Sequence, residues 1–98
     1  LAPITVAVFP LFNKLGQPEM AKKIVDDLRG DYSAFFDSGG SIGRRYRRQD
    51  EAGTPFGITV DHQTMEDNTV TLRDRDTMQQ VRISVDQVKK AVSDRISG

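Results

Sequence analysis

The chain has 98 residues, no cysteine, and a formal net charge of zero from 14 basic and 14 acidic side chains. This length accommodates one domain, residues 1–98, and excludes a second hydrophobic core. The composition excludes disulfides and thiolate metal sites, and no apolar run approaches the roughly 20 residues of a membrane-spanning helix. Zero net charge gives no overall attraction to polyanions, so any nucleic-acid role must come from local clusters of arginine.

The first part of the chain has the pattern of a βαβ unit. Residues 4–9 form a short apolar run, which is typical of a strand buried on both faces of a parallel sheet. Pro18 suits the first turn of a helix that ends at Gly30. Its apolar residues recur every four positions: Met20, Ile24 and Leu28. Residues 34–37 are predicted to form a second strand, joined to the first by a right-handed crossover.

A basic helix is predicted over about residues 42–52. Ser41 follows two glycines and is typical of a helix start, and Gly53 before Thr54-Pro55 is typical of a helix end. Four arginines lie within five positions of this helix: Arg44, Arg45, Arg47 and Arg48. Two interpretations stay open, because such a cluster either contacts phosphate groups or braces the fold through pairs with acidic neighbours.

In the rest of the chain, apolar and polar residues alternate as is typical of antiparallel strands. Three strands are predicted: residues 56–60, 69–75 and 81–85. Residues 61–68 are predicted to form a polar turn, and Ser84 and Gln87 have capping-box spacing for a last helix. The element order β-α-β-α-β-β-β-α predicts one mixed sheet with helices packed on it.

Arg73 and Arg75 are the second arginine pair of interest. Because side chains alternate along a strand, both guanidiniums lie on the same face, roughly 7 Å apart. Such a pair can stack on unstacked nucleobases or donate hydrogen bonds to them. The alternative is cross-strand pairing with carboxylates, which contributes only about 0.2–1 kcal/mol per pair.

The chain offers little for catalysis or metal binding. His62 is the only histidine and has no cysteine with which to build a nucleophilic site, so we expect it to be a bystander. Asp61, Glu66 and Asp67 lack the regular ligand spacing of a calcium loop, which favours solvated carboxylates. We therefore predict no catalytic residue and no metal ligand in this chain.

Four segments carry a resemblance to a known family: residues 2–11, 40–51, 53–56 and 73–76. The second reads Gly-Ser-Ile-Gly-Arg-Arg-Tyr-Arg-Arg-Gln-Asp-Glu, and the fourth reads Arg-Asp-Arg-Asp. In this order and spacing they resemble the C-terminal anticodon-binding domain of glycyl-tRNA synthetases, a branch of the class II aminoacyl-tRNA synthetases. The similarity covers nearly the whole chain. It implies an α/β fold, with a five-stranded mixed sheet flanked by three helices.

The resemblance also implies a function and site residues. The domain would hold the tRNA(Gly) anticodon stem-loop for the catalytic domain of a parent glycine–tRNA ligase. By position, base contacts fall on Glu66, Arg73 and Arg75. Glu66 would accept a hydrogen bond from a base amino group such as that of cytosine, and the arginines would donate to bases or stack on them. For the basic helix, the resemblance favours bracing over phosphate contact.

Further expectations concern cofactors, partners and location. The resemblance implies no cofactor or active site in this chain, with ATP and Mg²⁺ bound only by the parent's catalytic domain. We expect a cytoplasmic location, no membrane partner, a monomeric isolated domain and a homodimeric parent. The start at Leu1, without a basic and apolar leader, indicates a piece of a longer protein and no secretory signal. The competing hypothesis is a protein-interaction module that reuses the fold, as in the accessory subunit of mitochondrial DNA polymerase.

Overall fold

The computed structural model describes residues 5–12, 14–38, 44, 47, 54–75 and 77–97. Its elements follow in the order β1 (Thr5–Pro10), α1 (Gln17–Leu28), β2 (Ser33–Phe36), β3 (Phe56–Val60), α2 (His62–Asp67), β4 (Thr69–Asp74), β5 (Gln80–Ser84), a 3₁₀ turn (Val85–Gln87) and α3 (Val88–Ser97). Most of the predicted basic helix, including Arg45 and Arg48, lies outside the described residues.

The five strands form one mixed sheet in the spatial order β2-β1-β3-β4-β5. β1 is central to the parallel part, because it pairs in parallel with both β2 and β3. The second part is antiparallel, with β4 paired to β3 and to β5. The predicted α/β fold with a five-stranded mixed sheet is therefore confirmed, and three α-helices accompany the sheet among the described residues.

One face of the sheet carries the hydrophobic core. Alternation along the strands directs Val8, Ile58 and Leu72 to this face, and all three are almost completely buried. The helices cover them with apolar residues one turn apart: Ile24 and Leu28 of α1, and Val88 and Val92 of α3. Burial of one such side chain contributes about 1.5–3 kcal/mol, so this face is the main source of stability.

The face of the sheet opposite the core, which we call the outer face, is mainly apolar in the parallel part and polar in the antiparallel part. In the parallel part, Ala7 and Phe9 of β1 and Thr59 of β3 are buried on this face. In the antiparallel part, Thr71 is only half-buried, and Arg82 is exposed as a residue while its side chain is 30% exposed. The register places Phe9, Thr59, Thr71 and Arg82 in one row across four strands. The outer face thus becomes polar and accessible toward β5, where the candidate site lies.

The predicted polar turn at residues 61–68 is wrong, because α2 occupies this position. The Asp61 side chain accepts a hydrogen bond from the Thr64 N–H at 3.1 Å, and Thr64 Oγ1 accepts one from the Asp61 N–H at 3.0 Å. This reciprocal pair starts the helix, and Asn68, at a φ of 61°, ends it in the left-handed region. The spacing of apolar residues does not predict α2, because this helix has no apolar stripe and is marked only by the polar residues at its two ends.

Candidate nucleic-acid interface

Arg73 and Arg75 lie together at the end of β4, on the outer face of the sheet. Arg73 belongs to β4 and stands opposite Gly57 of β3. The prediction that Arg75 lies within the strand is wrong, because β4 ends at Asp74 and Arg75 begins the following turn. Its N–H still donates to Pro55 O at 2.9 Å, which continues the pairing by one residue. Alternation therefore places both arginines on the same face, with Arg73 half-buried and Arg75 exposed.

The surroundings of Arg73 leave its guanidinium near the surface. Gly57 presents no side chain toward it, and a Cβ at this position would lie 3.6 Å from Phe9 Cζ. On the turn side, Arg73 Nη2 lies 3.6 Å from Met78 Sδ, and Met78 is exposed. The Arg73 guanidinium thus lies beside a thioether at the exposed side of the turn.

Glu66 lies on α2, at the opposite end of β4 from the two arginines. Its Oε1 is 3.1 Å from His62 Nε2, one helical turn earlier, and both side chains are exposed. From Thr69 to Arg75 the chain advances six residues, or about 20 Å at the rise of a strand. The structure therefore brings Arg73 and Arg75 together and keeps Glu66 apart, so the three residues do not form one cluster.

Arg82 is a structural residue beside the candidate interface that the sequence analysis missed. It lies on β5 opposite Thr71. Its guanidinium donates hydrogen bonds to both carboxylate oxygens of Asp61, with Nη2–Oδ2 and Nη1–Oδ1 distances of 2.5 and 3.4 Å. It also donates to Thr69 Oγ1 at 3.1 Å and to Thr71 Oγ1 at 3.3 Å. One side chain thus joins the end of β3, the start of α2, β4 and β5. Alternation within residues 81–85 could have placed Arg82 on the outer face, but its partners depend on the β4–β5 register.

Asp61 and Asp67, the acidic residues at the two ends of α2, accept hydrogen bonds within the fold. Partial burial raises the pKa of the Asp61 carboxyl, but hydrogen bonds from Arg82 and Thr64 outweigh it and leave the pKa below its ordinary value. Hydrogen bonds from Thr69 and then from Gln63 lower the pKa of Asp67. Both carboxylates are thus ionised at neutral pH. Across the part of the chain that the structure describes, no three His, Cys, Asp or Glu side chains are grouped to hold a metal ion.

The basic segment is described at two positions. Arg44 and Arg47 have helical backbone and exposed side chains, and they are three positions apart, a spacing that makes them neighbours on a helix surface. Arg45 and Arg48, for which the same two roles of phosphate contact or bracing stay open, lie outside the described residues. Of the helices described, none is long and apolar enough to cross a membrane.

The fold is similar to domains of two solved aminoacyl-tRNA synthetases. The RNA binding domain of threonyl-tRNA synthetase from Cryptosporidium parvum matches with a TM-score of 0.82 and 23% identity, over 94% of this chain and 23% of that chain. Prolyl-tRNA synthetase from the same organism, in complex with L-proline and AMP, matches with a TM-score of 0.85 and 18% identity, over 97% and 21% of the two chains. At these identities the similarity concerns the fold alone.

The sequence is similar to curated glycine–tRNA ligases. That of Rhodopirellula baltica is 53% identical over 96 residues, and that of Methanothrix thermoacetophila is 54% identical over 99 residues. The alignments cover 98% and 100% of this chain but only 18% and 17% of the ligases, so the chain spans less than a fifth of their length. The resemblance to glycyl-tRNA synthetases is thereby confirmed. The model of the family described as anticodon binding domain matches residues 5–95. The chain therefore belongs to the anticodon binding domain family.

Proposed function

We propose that this chain is the anticodon-binding domain of a glycine–tRNA ligase, and that it holds the anticodon stem-loop of tRNA(Gly) for a catalytic domain elsewhere in the parent protein. The observation that carries the proposal is the identity of more than half of the residues with glycine–tRNA ligases over nearly the whole chain. We further propose that the parent is a cytoplasmic, homodimeric class II synthetase whose catalytic domain uses ATP and Mg²⁺.

Arg73 and Arg75 would act on unstacked anticodon bases at the outer face of β4. Each guanidinium offers planar donors for base acceptors and a flat surface on which a base can stack. Arg73 and Arg75 share a face at a separation of roughly 7 Å along the chain, so we expect them to contact neighbouring nucleotides of one loop. The support for this assignment is their common face and the exposure of Arg75.

Glu66 would read a different nucleotide from the two arginines, since about 20 Å of strand separates them. The glycine anticodons end in two cytosines, and a carboxylate can accept from the cytosine amino group. His62 engages Glu66 Oε1. An ionised carboxylate has about four acceptor sites, so Glu66 retains acceptor capacity while it is paired with His62.

The test is a titration of the chain with a labelled stem-loop RNA that carries a glycine anticodon. A matched stem-loop in which both cytosines are changed serves as the control. We expect weak binding to the first RNA and weaker binding to the second. Equal affinity for the two RNAs would remove the claim of anticodon recognition and favour the protein-interaction alternative.

A further inference from the structure

The loop between β1 and α1 presents a fixed but exposed aromatic side chain at the carboxyl end of the parallel strands. The Leu11 N–H donates to Val60 O at 2.7 Å, which ties the start of the loop to β3. The Phe12 N–H donates at 2.9 Å to Oε1 of Gln17, whose side chain is buried. The loop backbone is thus held on both sides, yet the Phe12 residue remains 54% exposed. Apolar burial therefore does not explain this phenylalanine.

A cation lies over the Phe12 ring, and two further exposed apolar side chains belong to the same loop and to α2. Lys14 Nζ lies 5.6 Å from the centroid of the Phe12 ring, within the range of a cation–π contact. Leu15 and Met65 of α2 are also exposed. The loop touches α2, because a Cβ at Gly16 would lie 3.2 Å from Met65 Cε. We call these four side chains, Phe12, Lys14, Leu15 and Met65, the loop–α2 surface.

The chemistry of the loop–α2 surface fits a nucleotide better than a folded protein. Three partly exposed apolar side chains present at most a few hundred Å², whereas a specific protein interface buries upwards of roughly 1,000 Å². An aromatic face beside a lysine is instead the usual combination for a single-stranded nucleotide, with a base on the ring and a phosphate on the cation. The surface also lies at the carboxyl ends of β1 and β3, where ligands commonly bind in α/β sheets.

We propose that Phe12 stacks on an unstacked nucleobase of the RNA loop and that Lys14 contacts a neighbouring phosphate. This inference rests on the proposed function and extends it from the outer face of β4 to the end of the sheet that carries Glu66. That end of the sheet carries the Glu66 carboxylate, which can accept a hydrogen bond from a base but cannot stack on one. Phe12 supplies the stacking group there.

The test titrates the 98-residue chain and its variants with the glycine-anticodon stem-loop, labelled with 2-aminopurine in the loop. Phe12→Leu keeps an apolar side chain but removes the aromatic face, so we expect about tenfold weaker binding and loss of the 2-aminopurine fluorescence change. Phe12→Tyr keeps the ring and should bind within about twofold of the wild type. Lys14→Gln should reduce the slope of log affinity against log salt by about 0.7, the value for one phosphate on a single strand.

Matched controls come from α3, away from the loop–α2 surface. Ile96→Ala removes an exposed apolar side chain and Lys90→Gln removes an exposed charge that pairs with Asp94. Neither should change the affinity or the salt slope. Circular dichroism and urea unfolding establish that each variant is folded.

The outcomes separate this inference from the proposed function. If the wild-type chain prefers the glycine anticodon but Phe12→Leu binds as the wild type does, the inference is wrong and the proposed function stands. If the wild-type chain binds neither RNA, both are wrong. Sedimentation that shows a wild-type dimer and a monomeric Phe12→Leu variant, with equal RNA affinity, would assign the surface to protein contact and also overturn the inference.

Discussion

At the scale of single residues, Arg82 connects segments that are distant in the chain. Its guanidinium is satisfied by Asp61, Thr69 and Thr71, so it acts as a brace within the protein. Arg82 and Asp61 side chains are only 30% and 18% exposed, which limits solvent screening of the pair. A brace of this kind sets where α2 and β4 stand relative to each other.

The Arg82→Ala variant should lower the free energy of unfolding by about 1–3 kcal/mol, because Asp61 is left partly buried without its charged partner. Lys90→Ala is the control, since its pair with Asp94 is exposed on one helix and is worth less than about 0.5 kcal/mol. Urea unfolding measures both. Equal losses in the two variants would contradict a special role for Arg82.

Arg73→Ala and Arg75→Ala should act on recognition more than on stability. If each arginine contacts a base, its removal costs about 1–3 kcal/mol of discrimination at one anticodon position. Stem-loop RNAs changed at one loop position at a time locate that position by titration. A uniform loss of affinity across all loop sequences would instead identify phosphate contacts.

At the scale of elements, α2 depends on ionised carboxylates. The Asp61 pKa is lowered from its ordinary value of 3.8 in the folded chain. A depressed pKa means that the unfolded chain binds the proton more readily, so the stabilisation is complete above pH 3.8 and is lost as pH falls through the lower folded pKa. The start of α2 is therefore expected to weaken in acid.

The Asp61→Asn variant tests this dependence, because asparagine also accepts at a helix start but carries no charge. We expect the wild type to lose more free energy of unfolding than Asp61→Asn between pH 6 and about pH 3. Urea unfolding at the two pH values gives the comparison. The same loss in both proteins would show that Asp61 does not drive the acid sensitivity.

Gly57 and Gly16 are expected to respond in opposite directions to replacement by alanine. Gly57 lies within β3, and an added Cβ would make ordinary contact with Phe9 at 3.6 Å. Gly57→Ala should therefore stabilise the chain by about 0.4–1 kcal/mol, since it restricts the unfolded state. Gly16 has a φ of +80° and Met65 Cε at 3.2 Å, so Gly16→Ala should destabilise by about 1–2 kcal/mol. Thermal unfolding shifts of the same sign for both would refute this argument.

At the scale of the whole molecule, the two parts of the sheet differ in the side chains on their outer face. The parallel part is buried on both faces at β1, while the antiparallel part carries polar side chains on its outer face. With zero net charge, only local cations attract RNA. Log affinity for the stem-loop should thus fall with log salt by about 0.7 per phosphate contact. Binding that is insensitive to salt, or equally tight binding of duplex DNA, would contradict local recognition.

The sequence anticipated the strands well because their signals are local. The apolar run at residues 4–9 and the alternation through Val70 and Leu72 correspond to β1 and β4 within one or two residues. The helix α1 follows from its stripe and from Pro18. The sequence did not predict α2, because six residues are too few to show a helical period. It also placed Arg75 inside β4, although the strand ends one residue earlier, at Asp74.

Alternation and periodicity by themselves determined the sheet content, the core face and the common face of Arg73 and Arg75, since these depend on neighbours in the chain. Only the tertiary structure decided that Arg82 meets Asp61, 21 residues away, and that Glu66 stands at the far end of β4 from Arg75. It also decided that the loop at Phe12 meets α2. The physical reason is that strand register and the packing of distant segments come from cooperative burial, which no local pattern encodes.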